Sequence, residues 1–256
     1  MLENTLIMHY ENIVQGTFIS RPNRFIAEVL VNGKKQTVHV KNTGRCKELL
    51  VPGNTVYLEK SSNLNRKTPY DLVTVEKKLT NGSKLIINMD SQAPNKIAEE
   101  WIKTNTRLFS EITLLKPEFT LGDSRFDFYI EYNKLTNGSS KIPSKMLMEV
   151  KGVTLEGNGI AMFPDAPTER GLKHVKELTE YAASKTYDCS LVFIIQMKGC
   201  RLFKPNFRTH KEFGLALQKA QNAGVNIYAI DCIVSPENVT FDQFVEINLQ
   251  NDEHIS

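Results

Sequence analysis

Three charged side chains stand in segments that otherwise have the pattern of buried strands. Asp127 interrupts the apolar run from Arg125 to Ile130, and Glu149 and Lys151 interrupt the run from Met146 to Val153. Side chains at positions i and i+2 of a strand point to the same face, so Glu149 and Lys151 should project together. Two carboxylates and an ammonium on an apolar sheet are costly unless they pair or bind a cation.

These residue types suit a divalent-metal site that cleaves phosphodiesters. Asp127 and Glu149 supply the hard oxygen ligands that Mg²⁺ takes in proteins, while water and substrate phosphate complete its coordination. Lys151 can orient the attacking water, help to lower its pKa, or stabilise charge that develops on the phosphate. A structural salt bridge at a strand end is the alternative. We therefore predict a site for Mg²⁺, or Mn²⁺, with Asp127 and Glu149 as its ligands and Lys151 as a catalytic residue.

The elements expected around this site alternate between helices and strands. Apolar spacing predicts helices over residues 93–109, 167–183 and 213–223, and strands near residues 112–116, 125–131, 146–153, 191–195 and 225–230. Such alternation predicts a mixed sheet covered by helices on both faces, an α/β/α domain.

The first part of the chain has a different pattern. Apolar residues recur at strand-like intervals, separated by turn signals such as Asn32-Gly33, Pro52-Gly53 and Asn81-Gly82. Strands are predicted near residues 12–19, 24–31, 35–41, 54–60, 70–78 and 84–89, with a short helix over residues 45–51. This order is compatible with an OB-fold barrel.

An OB-fold commonly binds single-stranded nucleic acid through a basic groove and aromatic platforms. Four basic side chains near the predicted strand ends are candidates for nucleic-acid binding: Arg21, Arg24, Lys41 and Arg45. Phe25 and Tyr57 are candidate aromatic platforms. An ordinary surface or core position is the alternative for each of them.

The charge distribution divides the chain in the same way. Residues 1–90 contain 13 Lys and Arg against 8 Asp and Glu, whereas residues 91–256 contain 19 against 21. A basic module that holds a polyanion, beside a module that holds a cation, would give this pattern. A soluble protein with uneven surface charge is the alternative.

Other classes of protein are disfavoured by the composition. The four cysteines, Cys46, Cys189, Cys200 and Cys232, form no C-x-x-C pair, which favours reduced thiols over a zinc site or a disulfide framework. No apolar run approaches the length of a membrane span, and the first residues lack the pattern of a secretory signal. We expect a cytoplasmic protein without a membrane partner.

Ordered sequence blocks extend along nearly the whole chain. They are Arg24-Phe25, the run from His39 to Arg45, Pro52-Gly53, Pro94-Asn95, the run from Ser124 to Phe128, Glu149-Val150-Lys151, the run from Phe163 to Ala166, and Arg170-Gly171 followed by His174. In this order they resemble the sugar fermentation stimulation protein A family, SfsA. The resemblance implies an OB-like domain, a second domain similar to PD-(D/E)xK nucleases, DNA binding, and a role in regulating sugar utilisation.

The resemblance also implies further site residues. Glu100 corresponds to an additional acidic residue that some such nucleases contribute, with a solvent-facing helix glutamate as the alternative. Asp165, Arg170 and His174 match the next family block, and Arg170 and His174 share a helix face. Arg170 and His174 could contact phosphate or a water on the metal. A structural histidine is the alternative for His174.

Together these observations predict an OB-fold-like domain over residues 1–90 and a PD-(D/E)xK nuclease-like domain over residues 91–256. The polar segment from Asn133 to Lys145 is interpreted as a long hairpin loop with Asn137-Gly138 at its tip. We expect DNA binding without strong sequence preference and Mg²⁺-dependent cleavage. A non-catalytic DNA-binding regulator and an RNA-processing nuclease remain alternatives.

Overall fold

The computed structural model describes residues 8–42, 44–63, 65–105, 107–109, 111–135 and 141–251. The first part of the chain contains seven strands: β1 (Met8–His9), β2 (Ile13–Asn23), β3 (Ile26–Val31), β4 (Lys34–Val40), β5 (Thr55–Lys60), β6 (Tyr70–Lys78) and β7 (Lys84–Asn88). The helix and strands that follow are α1 (Ala93–Thr104), β8 (Ile112–Leu121), β9 (Ser124–Leu135), β10 (Lys141–Val153), β11 (Leu155–Gly157) and β12 (Ile160–Phe163). The last elements are α2 (Glu169–Ala183), β13 (Asp188–Ile195), β14 (Leu202–Pro205), α3 (Lys211–Asn222), β15 (Asn226–Val234), β16 (Asn238–Phe244) and β17 (Glu246–Ile247).

Strands β2 to β6 form a closed barrel. Their order is β4-β3-β2-β5-β6, and a parallel pairing of β4 with β6, through His39 and Val40, closes the sheet. Alternate side chains such as Val29, Val38 and Leu58 fill the interior, as the period of two requires. The predicted OB-fold-like barrel is confirmed.

The predicted helix over residues 45–51 is wrong. This segment is a tight turn in which the main-chain NH groups of Leu49 and Leu50 both donate to the carbonyl of Cys46. Cys46 has a φ of 45°, which a right-handed helix does not allow. The apolar residues that suggested a helix, Cys46, Leu49 and Leu50, are buried in the core from a turn instead.

The second part of the chain is built on a seven-stranded mixed sheet in the order β1-β16-β15-β13-β10-β9-β8. Helix α1 packs on one face, where Ile97 and Trp101 join alternate residues of β10 and β13 in one apolar cluster. Helices α2 and α3 cover the other face, where Leu172 and Phe213 belong to the second cluster. The predicted α/β/α arrangement is confirmed, since each sheet face buries its apolar side chains under helices.

A second, small sheet was not predicted. It has four strands in the order β11-β12-β14-β17 and lies beyond the C-terminal end of β10. Each of these strands has two to four residues, too few for an apolar period to be detected.

The two parts of the chain are joined by several polar contacts. Strand β1 lies within the range predicted for the barrel domain, yet it pairs with β16 of the large sheet. Lys77 of β6 donates to Oε2 of Glu156 in β11 at 2.6 Å. The side-chain amide of Gln196 donates to Oδ1 of Asn88 at 2.8 Å and to the carbonyl of Asp90 at 3.0 Å. The two hydrogen bonds of Gln196 tie the segment after the barrel to the end of β13.

The hairpin of β9 and β10 is longer than the sequence predicted. Both strands continue through much of the polar segment from Asn133 to Lys145, and Leu135 pairs with Lys141. The predicted tip, Asn137-Gly138, lies outside the described residues. Within the part of the chain that is described, no helix has the length and apolar character to cross a membrane.

Candidate metal and nuclease site

The site lies where β9 and β10 separate. Their antiparallel ladder ends at the pair of Phe128 and Met148. Beyond this pair, Oδ2 of Asp127 accepts a hydrogen bond from the main-chain NH of Val150 at 2.8 Å. The other carboxylate oxygen, Oδ1, accepts from the side-chain amide of Asn95 at 2.8 Å. Asp127 is therefore fixed by the neighbouring strand and by the first turn of α1.

The approach of α1 to this site depends on a glycine. A Cβ atom on Gly152 would lie 2.6 Å from Cγ of Pro94 and 2.6 Å from Oε1 of Gln196. Such distances are far below van der Waals contact, so only glycine lets the start of α1 pack this closely on β10. Because Asn95 follows Pro94, this close packing brings its amide to Asp127.

Glu149 is the most deeply buried charge of the site, at 2% exposure. Its Oε1 accepts from the ammonium of Lys151 and is also in hydrogen-bond contact with Nδ1 of His174. Its other oxygen, Oε2, is buried and has no hydrogen-bond partner among the described residues. The predicted same-face relationship of Glu149 and Lys151 accordingly brings them into direct contact.

Opposing influences act on the pKa of Glu149. Burial by itself would raise the pKa, because it penalises the charged form, but Lys151 and His174 outweigh it. The net direction is a lowered pKa for the Glu149 carboxyl. Glu149 is held as a carboxylate with one oxygen engaged and the other unpaired.

The pKa of Asp127 shifts in the opposite direction, above its ordinary value. Burial and the nearby charge of Glu149 raise the pKa of Asp127, and hydrogen bonds from Val150 and Asn95, together with Lys151, offset this only in part. A cation bound near both carboxylates would favour the ionised form of Asp127.

The donor set fits a hard divalent cation with few protein ligands. No group of three His, Cys, Asp or Glu side chains is arranged to enclose a metal within the described ranges. Mg²⁺, however, commonly takes only one or two carboxylates and completes its coordination with water and phosphate. The unpaired buried oxygen of Glu149 and the carboxylate of Asp127 match this requirement.

Two further residues were predicted to belong to the site, His174 and Glu100, and they differ in their contact with Glu149. His174 in α2 is buried and contacts Glu149 directly, so it belongs to the site. Glu100 in α1 is only 3% exposed, which rules out the solvent-facing alternative, and neither of its carboxylate oxygens has a hydrogen-bond partner in the described part of the chain. Burial raises the pKa of the Cys232 thiol on β15, and the charge of Glu100 raises it further. No hydrogen bond among the described residues joins Glu100 to Asp127 or Glu149, and its part in the site stays a prediction.

Arg21 and Lys41 were both predicted to bind nucleic acid, but the structure engages them inside the protein. The guanidinium of Arg21 donates to four main-chain carbonyls, those of Arg24, Asn42, Gly44 and Arg45. This pattern gives Arg21 the role of holding the β2–β3 turn against the loop after β4.

Lys41 lies among three carboxylates. Its ammonium is 3.2 Å from Glu59, 3.5 Å from Asp90 and 4.0 Å from Asp71. Burial alone would lower the pKa of Lys41, but these carboxylates reverse the direction and raise it. Its charge is compensated within the protein, so it is a poor phosphate contact.

The other predicted basic residues, Arg24, Arg45 and Arg170, are exposed. Arg24 lies over the ring of Phe25, at 5.4 Å from the ring centroid. The main-chain NH of Arg45 donates to Oδ2 of Asp165 at 3.0 Å, which joins the barrel loop to the segment before α2. Asp165 therefore has a connecting role, and the side chains of Arg24, Arg45 and Arg170 remain available to phosphate.

A prominent cleft of the described residues does not coincide with this site. It has a volume of about 780 Å³ and is lined by residues that include Tyr132, Lys145 and Asp188. Asp188 pairs with Met146, whereas Glu149 pairs with Leu191 further along the same strands. The carboxylate pair therefore lies outside this cleft, further along the same strands.

Sequence reasoning missed Asn95 as a site residue. Its contact with Asp127 spans 32 positions of the chain, and only the packing of α1 on β10 reveals it. The signal in the sequence was the Pro94-Asn95 block, which marked the start of a helix but not the direction of its amide.

Comparisons with known proteins agree with this architecture. The SfsA N-terminal OB domain matches residues 19–87, and the sugar fermentation stimulation protein RE domain matches residues 92–238. Two proteins described as sugar fermentation stimulation protein homologs, from Ruminiclostridium cellulolyticum and Clostridium beijerinckii, are 51% and 48% identical. In both cases the alignment covers 94% of this chain and all of the relative.

A solved structure shares the whole fold. It is described as the structure of Pyrococcus furiosus SfsA in complex with Ca²⁺, and it superposes with a TM-score of 0.78 at 25% identity. The match covers 94% of this chain and 98% of the archaeal protein. On these matches, which run through both the barrel and the α/β part, the chain belongs to the sugar fermentation stimulation protein family, SfsA.

Proposed function

We propose that this protein is a DNA-binding phosphodiesterase that depends on Mg²⁺ or Mn²⁺. The observation that carries the proposal is the state of Glu149. Lys151 and His174 contact one carboxylate oxygen, while the other is buried near Asp127 and has no hydrogen-bond partner among the residues that the structure describes. A buried carboxylate oxygen without a partner is costly, and a cation shared with Asp127 would remove that cost.

Each side chain has a distinct part in this proposal. Asp127 and Glu149 would hold the cation, which would supply positive charge to the phosphate and favour ionisation of the attacking water. Lys151 would stabilise negative charge on the phosphate or orient the water. His174 would act as a positioning residue that keeps the free oxygen of Glu149 directed into the site.

A relative supports the preference for a hard cation. The Pyrococcus furiosus protein is described as a complex with Ca²⁺. Ca²⁺ and Mg²⁺ share the preference for oxygen ligands, although Mg²⁺ demands a more regular geometry. A carboxylate pair without cysteine or histidine ligands is the donor set expected for either ion.

The exposed basic residues support a polyanionic substrate. Arg24 and Arg45 of the barrel and Arg170 of α2 present guanidinium groups to solvent, and guanidinium binds phosphate through paired hydrogen bonds. Contacts to phosphate carry no sequence information, so we infer that these arginines support binding without strong sequence preference. Affinity should therefore fall steeply as salt rises. A role in regulating sugar utilisation is part of the same proposal, by analogy with the family name.

The test is a cleavage assay on single- and double-stranded DNA and RNA with Mg²⁺, Mn²⁺ or EDTA. Wild type should cleave at least one DNA substrate only when the metal is present. Asp127→Ala and Glu149→Ala should abolish cleavage, and Glu149→Gln removes the charge with little change of shape. DNA binding should survive in these variants, or tighten, because repulsion between carboxylate and phosphate is removed.

A control variant and three possible outcomes make the assay decisive. Glu169→Gln changes an exposed carboxylate and should leave cleavage unchanged. Equal residual cleavage by wild type and Glu149→Gln would identify a contaminating nuclease. If wild type binds DNA but cleaves none of the four substrates, the protein is a non-catalytic regulator. Cleavage of RNA alone would favour the RNA-processing alternative.

A further inference from the structure

We propose that Phe25, with the guanidinium of Arg24 over its ring, is a stacking platform for an unpaired base. The substrate would then be nucleic acid that carries a single-stranded stretch beside the cleaved phosphate. This inference rests on the proposed function and names the class of substrate that the site takes.

The exposure of Phe25 is the first observation. Its side chain is 49% exposed at the tip of the turn between β2 and β3. Covering such a ring by stacking would remove apolar surface from water, which is favourable. The ring therefore offers an apolar face of the size of a base.

The backbone that carries this ring is held rigidly. Oδ1 of Asn23 accepts from the main-chain NH groups of Phe25 and Ile26 at 2.9 and 3.1 Å. The carbonyl of Phe25 accepts from the NH of Val40 at 2.8 Å, and Arg21 donates to the carbonyl of Arg24 at 2.7 Å. A fixed platform loses little entropy when a base stacks on it, which favours affinity.

Positive charge lies directly beside the platform. The guanidinium of Arg24 lies 5.4 Å from the centroid of the Phe25 ring, and Arg45 is exposed on the adjoining loop. Stacking on an aromatic ring next to basic groups that contact the backbone is the usual arrangement for single strands. In a duplex the base faces are covered by their neighbours, so a duplex cannot use this ring without unstacking.

The platform is linked to the carboxylate pair through short contacts. Arg21 binds the turn at Arg24 to the carbonyls of Asn42 and Gly44. The side chain of Asn42 donates to the carbonyl of Met89 at 2.9 Å, a few residues before α1.

A second set of contacts extends this link to the site. The amide NH of Ser91 and its hydroxyl both donate to the carbonyl of Lys41, and Asn95 in the next turn holds Asp127. The turn that carries Phe25 and the start of α1 thus belong to one hydrogen-bonded unit. A strand stacked on Phe25 would be placed in a constant relation to the site.

The test measures binding of the full chain in EDTA, so that cleavage does not intervene. Probes are fluorescently labelled single-stranded DNA, RNA of the same sequence, and the DNA duplex. Phe25→Ala should weaken binding of single strands about 5- to 150-fold, the range for loss of one stacked base, with little change for the duplex. Phe25→Trp should retain the affinity, and its added fluorescence should be quenched by a single strand.

Phe244→Ala is the matched control, since Phe244 is a 55% exposed aromatic residue on β16, and it should leave binding unchanged. Unchanged thermal unfolding of Phe25→Ala would show that the barrel is intact. The inference is overturned if Phe25→Ala binds single strands as wild type does, or weakens the duplex equally. Metal-dependent cleavage that needs Glu149 but is indifferent to Phe25 would overturn this inference alone, whereas single-strand binding without cleavage would overturn only the proposed function.

Discussion

The side-chain amide of Asn95 donates to Oδ1 of Asp127 at 2.8 Å, and this contact joins the first turn of α1 to β9. With the NH of Val150 on the other oxygen, the hydrogen bond fixes the orientation of the Asp127 carboxylate. The position of α1 along β10 therefore controls the geometry of the candidate metal site.

The first prediction concerns the glycine that permits this packing. In Gly152→Ala the new methyl group would meet Pro94 and Gln196 at 2.6 Å, so α1 must shift and withdraw Asn95 from Asp127. We expect a loss of about 1–3 kcal/mol in the free energy of unfolding, as for other overpacked positions, with a marked loss of cleavage. Gly157→Ala is the control, because its methyl group would meet only the flexible end of Met162 at 3.4 Å. Equal stability and activity of Gly152→Ala and wild type would contradict the prediction.

The second prediction separates the metal ligands from the catalytic charge. Lys151→Ala removes the ammonium beside Glu149 but leaves both carboxylates in place. Cleavage should slow by about 10²–10³-fold, the effect of losing one group that stabilises developing charge. Metal binding, measured by calorimetry, should persist. Lys145→Ala changes an exposed lysine of the same strand and should cleave as wild type does; loss of metal binding in Lys151→Ala would instead show that the lysine holds the site together.

The longer barrel strands and the three helices were predictable because local patterns determine them. The barrel strands β3, β4 and β5 show the alternation of an amphipathic sheet, and the pair of Glu149 and Lys151 follows directly from the period of two. The turn at Cys46 was not predictable, since its left-handed conformation arises from the chain around it. A short apolar run gives the same pattern whether it is buried from a helix or from a turn.

The roles of basic residues depend on contacts far apart in sequence. Arg21 and Arg24 have equivalent positions near one turn, yet Arg21 binds main-chain carbonyls whereas Arg24 lies over an exposed ring. Lys41 meets carboxylates of Glu59 and Asp90 that only the closed barrel and its connection to α1 bring near. The sequence therefore located the basic residues, but it could not show which of them contact other groups of the protein and which are exposed to solvent.

The third prediction is a pH dependence of stability in the barrel. Burial would raise the pKa of Asp71, but hydrogen bonds from Arg66 and His39 outweigh it and lower the pKa. A carboxyl whose pKa is lower in the folded state stabilises the fold above its unfolded pKa, about 3.9 for Asp. This contribution is lost as the pH falls through the folded value.

The matching measurement compares urea unfolding of wild type and Asp71→Asn across pH. The variant should be less stable at pH 7 by about 1.5–3 kcal/mol, the range for hydrogen bonds to a charged group. The difference should shrink below about pH 4. Glu99→Gln, which breaks an exposed pair with Lys103, should change stability by about 0.3–0.5 kcal/mol. A difference that is independent of pH would rule out the charge of Asp71 as the cause.

The last prediction concerns the ion pair that joins the barrel to the α/β part. Lys77 donates to Oε2 and to the main-chain carbonyl of Glu156, both at 2.6 Å, and Glu156 is nearly inaccessible to solvent. In Lys77→Met the carboxylate of Glu156 would stay buried, and within the described residues the NH of Gly159 would be its remaining hydrogen-bond partner. Removing one member of a buried pair costs about 3–5 kcal/mol, mainly because the remaining charge is uncompensated. We expect a loss of this size in urea unfolding.

The double variant Lys77→Met/Glu156→Gln should recover part of the loss, because it removes the uncompensated charge. Lys78→Met changes the exposed neighbour on the same strand and should alter stability by no more than about 0.5 kcal/mol. If Lys77→Met and Lys78→Met unfold at the same urea concentration, the pair does not stabilise the junction, and the stability of the junction must come from its other contacts, such as those of Gln196 with Asn88 and Asp90.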